Sequence, residues 1–157
     1  MKLEFQMEDD EADAEKAVNA YNTLKDNGMK VFIGTVTTGA CLSVISQTKA
    51  DNMFQITPSA SAAKVIANDN CFQVCFTDPN QGTASADYIA SKGLATKVAV
   101  IYNSSDAYSS GIYDNFKAEA AAKGLDLVAS EAFTGDSKQD FSSQLSKIKA
   151  SGAELIF

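Results

Sequence analysis

The chain has no arginine, no histidine and no tryptophan, and only two prolines and three cysteines among its 157 residues. Without histidine it can form neither a Ser-His-Asp nor a Cys-His catalytic group, nor a metal site with histidine ligands. A net charge of −7 without arginine argues against binding to the phosphate backbone of nucleic acids. No run approaches the roughly 18 apolar residues of a membrane span, and the N-terminal residues lack the apolar core of a signal peptide.

The three cysteines are Cys41, Cys71 and Cys75. The pattern around the last two predicts a strand, in which their Cα atoms would lie about 13 Å apart. A disulfide requires Cα atoms within about 7 Å, so these two cannot pair in that conformation. An odd count without a Cys-x-x-Cys motif argues against zinc. We expect buried, unreactive thiols, which leave the cellular compartment open.

Predicted strands and helices alternate along the chain with short connections. Residues 97–102 form the clearest strand, a continuous apolar run typical of parallel sheets buried on both faces. Residues 2–8 alternate polar and apolar side chains and are predicted to be a half-buried strand. This order predicts an α/β fold with a parallel sheet covered by helices. The other predicted strands are 30–34, 53–57, 71–76, 125–133 and one beginning at 154, and the predicted helices are 13–27, 40–48, one ending near 93, one ending at 124, and 140–150.

The chain is predicted to divide into two units. A turn that contains Pro79 leads into a helix, and the strong strand at residue 97 then opens a new series of strands and helices. We therefore place residues 1–96 in the first unit and residues 97–157 in the second.

Three loops at the carboxyl ends of predicted strands are rich in hydroxyl side chains: residues 37–39, 59–61 and 104–108. In open α/β sheets, ligands bind beyond these strand ends, where helix N-termini point their N–H groups. Hydroxyls and N–H groups can hold a carboxylate without a cationic side chain. Serine and threonine are also common helix caps, so the pattern leaves both interpretations open.

No catalytic or nucleotide-binding motif accompanies these loops. The sequence contains no G-x-x-x-x-G-K-[ST], G-x-G-x-x-G or G-x-S-x-G pattern. The acidic run at residues 8–11 suits a solvated helix start better than a metal cluster, because carboxylates are favoured near a helix N-terminus. We therefore expect no catalytic residue, no metal and no cofactor.

Six segments carry a family resemblance: KVFIGTVTTGA at 30–40, ITPSAS at 56–61, CFTDPNQG at 75–82, KVAVIY at 97–102, FTGD at 133–136 and DFSSQL at 140–145. In this order they resemble the branched-chain amino-acid binding proteins of ABC transporters, which are type I periplasmic binding proteins of the Leu/Ile/Val-binding kind. The resemblance covers essentially the whole chain. It implies two flavodoxin-like, three-layer αβα lobes that close by a hinge on an amino acid, without catalysis.

The resemblance also implies roles for individual residues. Thr38 would hold the ligand carboxylate, and the loop at 59–61 would bind carboxylate and ammonium groups through main chain and hydroxyls. Tyr108 would cover the ligand from the second lobe, and Asp78 would have a supporting role at the hinge side of the cleft. The candidate ligand-binding residues are therefore Thr38, Ser59, Ala60, Ser61, Asp78 and Tyr108.

Parts of the family pattern have no counterpart in these residues. The family's first strand would precede Lys2, and later strands of its second lobe would follow Phe157. We therefore expect an incomplete fold that binds its ligand weakly, and a swapped or rearranged homo-oligomer.

The resemblance further implies partners and a location. The partners of the full-length protein would be an amino acid and the membrane permease of an ABC importer, and the location would be extracytoplasmic. Two other functions stay open, a ligand-binding sensor or regulatory domain of the same fold and an isolated α/β enzyme domain.

Overall fold

Residues 2–157 are described by a computed structural model, in which the chain forms two compact units. The first unit ends at Phe76, and the second is Thr77–Phe157. The helices are α1 (Ala14–Asp26), α2 (Thr38–Ala50), α3 (Asp78–Lys92), α4 (Ala107–Ala122) and α5 (Ser142–Ala150). The strands are β1 (Val31–Ile33), β2 (Phe54–Thr57), β3 (Cys71–Gln73), β4 (Lys97–Asn103), β5 (Asp126–Phe133) and β6 (Leu155–Ile156).

The first unit begins its regular structure with α1, whose ends are set by local chemistry. The Asp13 carboxylate accepts hydrogen bonds from the backbone N–H groups of Glu15 and Lys16, both at 2.9 Å, and so caps the helix. Gly28 follows the helix with a φ of +90°, which glycine adopts without strain. Between these ends, Tyr21 packs edge-on against Phe32 of β1, with ring centroids 5.3 Å apart. The predicted helix over 13–27 is confirmed.

The first unit's sheet is parallel, in the order β1-β2-β3. Because side chains alternate along strands, one face carries Phe32, Gln55 and Thr57, all buried beneath the helices. The opposite face carries apolar side chains that are 44–65% exposed, which are Val31, Ile33, Phe54 and Phe72. The described residues of this unit therefore cover only one face of its sheet.

The second unit is built around β4, which lies between β5 and β6 in a parallel sheet. Val98, Ala99 and Val100 are buried, as their continuous apolar run predicts. Phe116 of α4 is fully buried and stacks on Phe157, with ring centroids 4.2 Å apart. The parallel α/β architecture predicted from the sequence is confirmed in both units.

The predicted strand at residues 2–8 is wrong. The segment has no regular secondary structure and no strand pairing, and Leu3, Phe5 and Met7 are 66%, 75% and 91% exposed. Alternation alone cannot make a strand, because a strand needs a partner for its backbone N–H and C=O groups. Within residues 2–157, β1 pairs only with β2, and no strand pairs with this segment.

The division between the units falls between Phe76 and Thr77 rather than near residue 96. Helix α3 belongs with the second unit because it packs closely against α4, where Gly82 lies against the α4 backbone. Strand β3 also ends at Gln73, three residues before the predicted end.

No helix in the described part of the chain is long and apolar enough to cross a membrane.

Candidate functional site

The first unit brings two of the hydroxyl-rich loops together at the carboxyl edge of its sheet. Helix α2 begins at Thr38, whose side chain is buried, and its Oγ1 accepts a hydrogen bond from the backbone N–H of Ser61 at 3.1 Å. This bond ties the loop after β2 to the start of α2. Ala60 and Ser61 are buried, whereas Ser59 is exposed. We call residues 37–40 and 59–61 the candidate site.

The N-terminus of α2 supplies N–H groups to the candidate site. The first bond within the helix runs from the N–H of Cys41 to the carbonyl of Thr37 at 3.0 Å, so the helix itself offers no acceptor to the N–H groups of residues 38–40. Thr37, the N-cap, makes no side-chain capping bond. These N–H groups and the helix dipole favour a bound anion, and a carboxylate is one such group.

Thr57 supports the candidate site, and the sequence analysis missed it. Its buried Oγ1 donates to the carbonyl of Thr35 at 2.6 Å and accepts from the N–H of Ala60 at 3.0 Å. One hydroxyl thereby joins the segment after β1 to the loop after β2. The alternation of Gln55 and Thr57 on the buried face of β2 was the available signal, because polar side chains at core-facing positions require partners.

Gln55 is a second buried polar residue that the sequence analysis missed. Its Nε2 donates to the carbonyl of Gly34 at 2.9 Å, and its Oε1 accepts from the hydroxyl of Thr48 at 2.8 Å. Both the N–H₂ and the C=O of this fully buried side chain therefore have a hydrogen-bond partner. Gln55 thereby holds the backbone at Gly34, just before the turn into α2, and supports the candidate site from the buried face of the sheet.

The remaining two predicted residues lie in the second unit. Tyr108, in the first turn of α4, is 41% exposed, and its hydroxyl donates to Oε1 of Gln81 at 3.0 Å. Asp78, the first residue of α3, is buried against α4, where a Cβ on Gly111 would lie 3.0 Å from its Oδ2. The ligand contacts of both residues stay predictions.

The third hydroxyl-rich loop uses its side chains within the fold. Ser105 Oγ donates to Oδ1 of Asn103 at 2.8 Å and accepts from the N–H of Gly135 at 3.0 Å. The Asp106 carboxylate accepts from the N–H of Ser109 at 3.0 Å and caps α4. In this loop the carboxylate of Asp106 is the helix cap, whereas the Ser105 hydroxyl links the loop to the segment after β5. No group of three or more cysteine, aspartate or glutamate side chains within residues 2–157 is arranged to hold a metal ion.

Replacing Thr57 by valine is expected to loosen the candidate site. Valine matches threonine in shape but removes the hydroxyl, which leaves the Thr35 carbonyl and the Ala60 N–H buried without their partner. We expect a loss of about 2–4 kcal/mol in the free energy of unfolding, measured by urea denaturation.

Serine at position 57 is the matched control, because it keeps the hydroxyl and loses only the methyl group. We expect this variant to lose about 1 kcal/mol. A valine variant as stable as the parent chain, or a serine variant less stable than the valine variant, would contradict the role assigned to the hydroxyl.

Comparison with known proteins gives a consistent result. A sequence profile described as "Periplasmic binding protein" matches residues 1–157. The Leu/Ile/Val-binding protein homolog 3 of Brucella melitensis is 32% identical over 99% of this chain and 42% of its own length. A leucine-binding protein from Thermotoga maritima superposes with a TM-score of 0.84 and 25% identity, over 94% of this chain and 42% of that one.

A further structural relative has a different kind of ligand. A solute-binding protein of an ABC transporter from Rhodopseudomonas palustris, in complex with 3,4-dihydroxybenzoic acid, superposes with a TM-score of 0.88. Its identity is 20%, over 99% of this chain and 43% of that chain, so the likeness shows the fold alone. The chain spans about 42% of the length of the curated relatives it matches.

Proposed function

Because this chain belongs to the periplasmic binding protein family, we propose that its first unit binds the carboxylate of a small solute, and that this solute is a branched-chain amino acid. One observation carries the proposal: the hydrogen bond from the Ser61 N–H to Thr38 Oγ1 holds a hydroxyl-bearing loop beside the N-terminus of α2. The N–H groups there need an acceptor, and a ligand carboxylate supplies two oxygens. The role is recognition without catalysis.

The chemistry of the candidate site supports a carboxylate without any cationic side chain. The chain contains no arginine, so none of these residues can form a bidentate guanidinium–carboxylate pair. Recognition would use the N–H groups of residues 38–40 and the exposed hydroxyl of Ser59, together with the buried support of Thr57. An aromatic carboxylate would present the same two oxygens, so the relative that binds 3,4-dihydroxybenzoic acid makes this the second candidate ligand.

A titration followed by NMR would test the proposal on the chain itself. With millimolar L-leucine, we expect the backbone amide signals of residues 38–40 and 59–61 to shift, with a dissociation constant of about 1 mM or weaker. Isoamylamine has the same side chain and amino group but no carboxylate, so it should leave these signals unchanged. A parallel titration with 3,4-dihydroxybenzoate tests the second candidate ligand, an aromatic carboxylate.

Two results would overturn the proposal. One is a leucine titration that moves none of these amide signals, and the other is an equal response to leucine and isoamylamine. Thr38→Val is the informative variant, because it removes the acceptor of the Ser61 N–H, whereas Thr38→Ser retains it. We expect the leucine response to be lost in the valine variant and kept in the serine variant.

We also propose that the whole protein acts outside the cytoplasm as the binding component of an ABC importer, with a membrane permease as its partner. The family match over residues 1–157 and the 32% identity with the Leu/Ile/Val-binding protein homolog 3 of Brucella melitensis support this proposal. Deleting the gene should abolish high-affinity uptake of the bound amino acid. Unchanged uptake together with an altered transcriptional response to that amino acid would favour a sensor instead.

A further inference from the structure

Two of the three cysteines meet in the interior of the first unit, although they are thirty residues apart in the sequence. Cys41 lies in the first turns of α2, and Cys71 begins β3. Both side chains are buried in one apolar cluster with Ala60 and Val65.

The strand register accounts for this proximity. Cys71 is the direct neighbour of Gln55 in the parallel pairing of β3 with β2. The Nε2 of Gln55 lies 3.4 Å from Cys41 Sγ. Neighbouring strands lie about 4.8 Å apart, and the side chains of Gln55 and Cys71 point to the same face of the sheet. Cys41, which contacts Gln55 from α2, therefore lies over this pair. The sheet thus presents Cys71 directly to the helix that carries Cys41.

We propose that Cys41 and Cys71 form a disulfide bond when the chain folds in the presence of a small-molecule disulfide, and that the bond ties α2 to β3. One cysteine thiolate attacks a sulfur of the oxidant RS–SR, which forms a mixed disulfide and releases one RS⁻. The second cysteine thiolate then attacks the protein sulfur of that mixed disulfide and releases the other RS⁻. The two cysteines lose two electrons and two protons, and the oxidant becomes two molecules of RSH.

Because both thiols are buried in the folded unit, disulfide formation requires that the oxidant be present during folding. Burial raises the pKa of the Cys41 thiol to about 11, and it also raises the pKa of Cys71. Few thiolates therefore form at neutral pH, and an oxidant cannot reach either sulfur in the folded unit. The bond should form while α2 is still docking, and once formed it should resist reductants until the chain unfolds.

Cys75 provides an internal control. It lies beyond the end of β3, is partly exposed, and its thiol donates to the carbonyl of Ala60 at 3.6 Å. Cys75 is therefore the most accessible of the three thiols, and it is not a member of the buried cluster that contains the other two. Random oxidation would favour crosslinks through Cys75, whereas the proposed geometry favours the two buried cysteines.

The test is oxidative refolding of the whole chain. The reduced chain is unfolded in urea and refolded with a mixture of oxidised and reduced glutathione, or with reduced glutathione alone. We expect the first sample to lose about 2 Da, one hydrogen from each thiol, and to retain one titratable thiol. Cys75→Ser should still lose this mass, whereas Cys41→Ala and Cys71→Ala should not.

Stability and protection complete the test. Closing a loop of this length should lower the equilibrium population of the unfolded first unit by about 500-fold relative to the reduced chain. The bond should resist dithiothreitol in the folded chain and be reduced in urea. Three titratable thiols after oxidative refolding, crosslinks that require Cys75, or crosslinks only between chains would overturn the proposal. Ligand binding plays no part in these measurements, so their outcome is independent of the proposed function.

Discussion

Replacing Gly82 by alanine is expected to destabilise the second unit by about 3 kcal/mol or more. A Cβ at this position would lie 2.4 Å from the backbone oxygen of Ile112 and 2.6 Å from the backbone nitrogen of Phe116. Both atoms belong to the main chain of α4, so no side-chain rotation relieves the overlap. Helix α3 would have to move away from α4, which would uncover the fully buried Phe116.

The sign of the effect makes this substitution diagnostic. In the interior of a helix, alanine is ordinarily more stable than glycine by about 1 kcal/mol. At position 82 the close approach of the two helices should reverse that preference. Urea unfolding followed by circular dichroism would measure the change, and a midpoint equal to or above that of the parent chain would contradict the packing described here.

Two other glycines serve as matched controls. Gly39 lies within α2, and a Cβ there would meet no atom within 4 Å, so alanine should be neutral or slightly stabilising. Gly135 lies in the second unit, and a Cβ there would approach only Ser105 Oγ, at 3.9 Å. We expect Gly135→Ala to change the free energy of unfolding by less than about 0.5 kcal/mol.

The elements that were predictable from the sequence are those whose signals are local. The Asp13 cap and Gly28 mark the ends of α1, and each acts within a few residues. The run Val98–Val100 predicts a strand buried on both faces because it contains no polar side chain. Helix α2 starts at Thr38, two residues earlier than predicted. Its N-cap is Thr37, which has an extended backbone but makes no side-chain capping bond.

Pairing between distant segments was not predictable in the same way. The alternation of Leu3, Phe5 and Met7 is a genuine strand pattern, but it contains no information about whether a neighbouring strand exists. The assignment of α3 to the second unit has a related cause, because it depends on the close approach of Gly82 to α4. Both outcomes depend on contacts that local periodicity does not contain.

In the candidate site, too, the local features were predictable from the sequence and the contacts between distant segments were not. Three hydroxyl-rich loops were recognisable because they follow predicted strands, and two of them meet through Thr38 and Ser61. The support from Thr57 was missed because its role depends on the docking of two loops. The proximity of Cys41 to Cys71 was missed as well, because these cysteines are thirty residues apart in the sequence and meet only when α2 packs on the sheet.

The isolated chain is expected to self-associate through the uncovered face of the first unit's sheet. Val31, Ile33, Phe54 and Phe72 lie on this face, and the last two stack with ring centroids 5.3 Å apart. The face has no charged side chain in these strand positions, and the described residues of this unit leave its side chains 44–65% exposed. A second copy of the chain offers an identical apolar face, so pairing of the two copies would remove both from water.

Light scattering would measure this association. At about 100 µM, above the micromolar dissociation constant expected for an apolar interface of modest area, the mean mass should exceed that of one chain. Ile33→Thr combined with Phe72→Thr should restore the mass of one chain, because both side chains are about half exposed or more and contribute little to the fold. Leu94→Thr, an equally exposed apolar residue in the second unit, should leave the association unchanged.

The salt dependence of this association distinguishes an apolar interface from an ionic one. Each chain carries a net charge of −7, so two copies repel each other, and this repulsion weakens as salt is added. An apolar interface should therefore tighten between about 0.05 and 0.5 M sodium chloride, whereas an interface built on ion pairs would weaken. A single-chain mass at every concentration and salt level would show that the exposed face does not associate, and equal disruption by Leu94→Thr would show that the contact lies elsewhere.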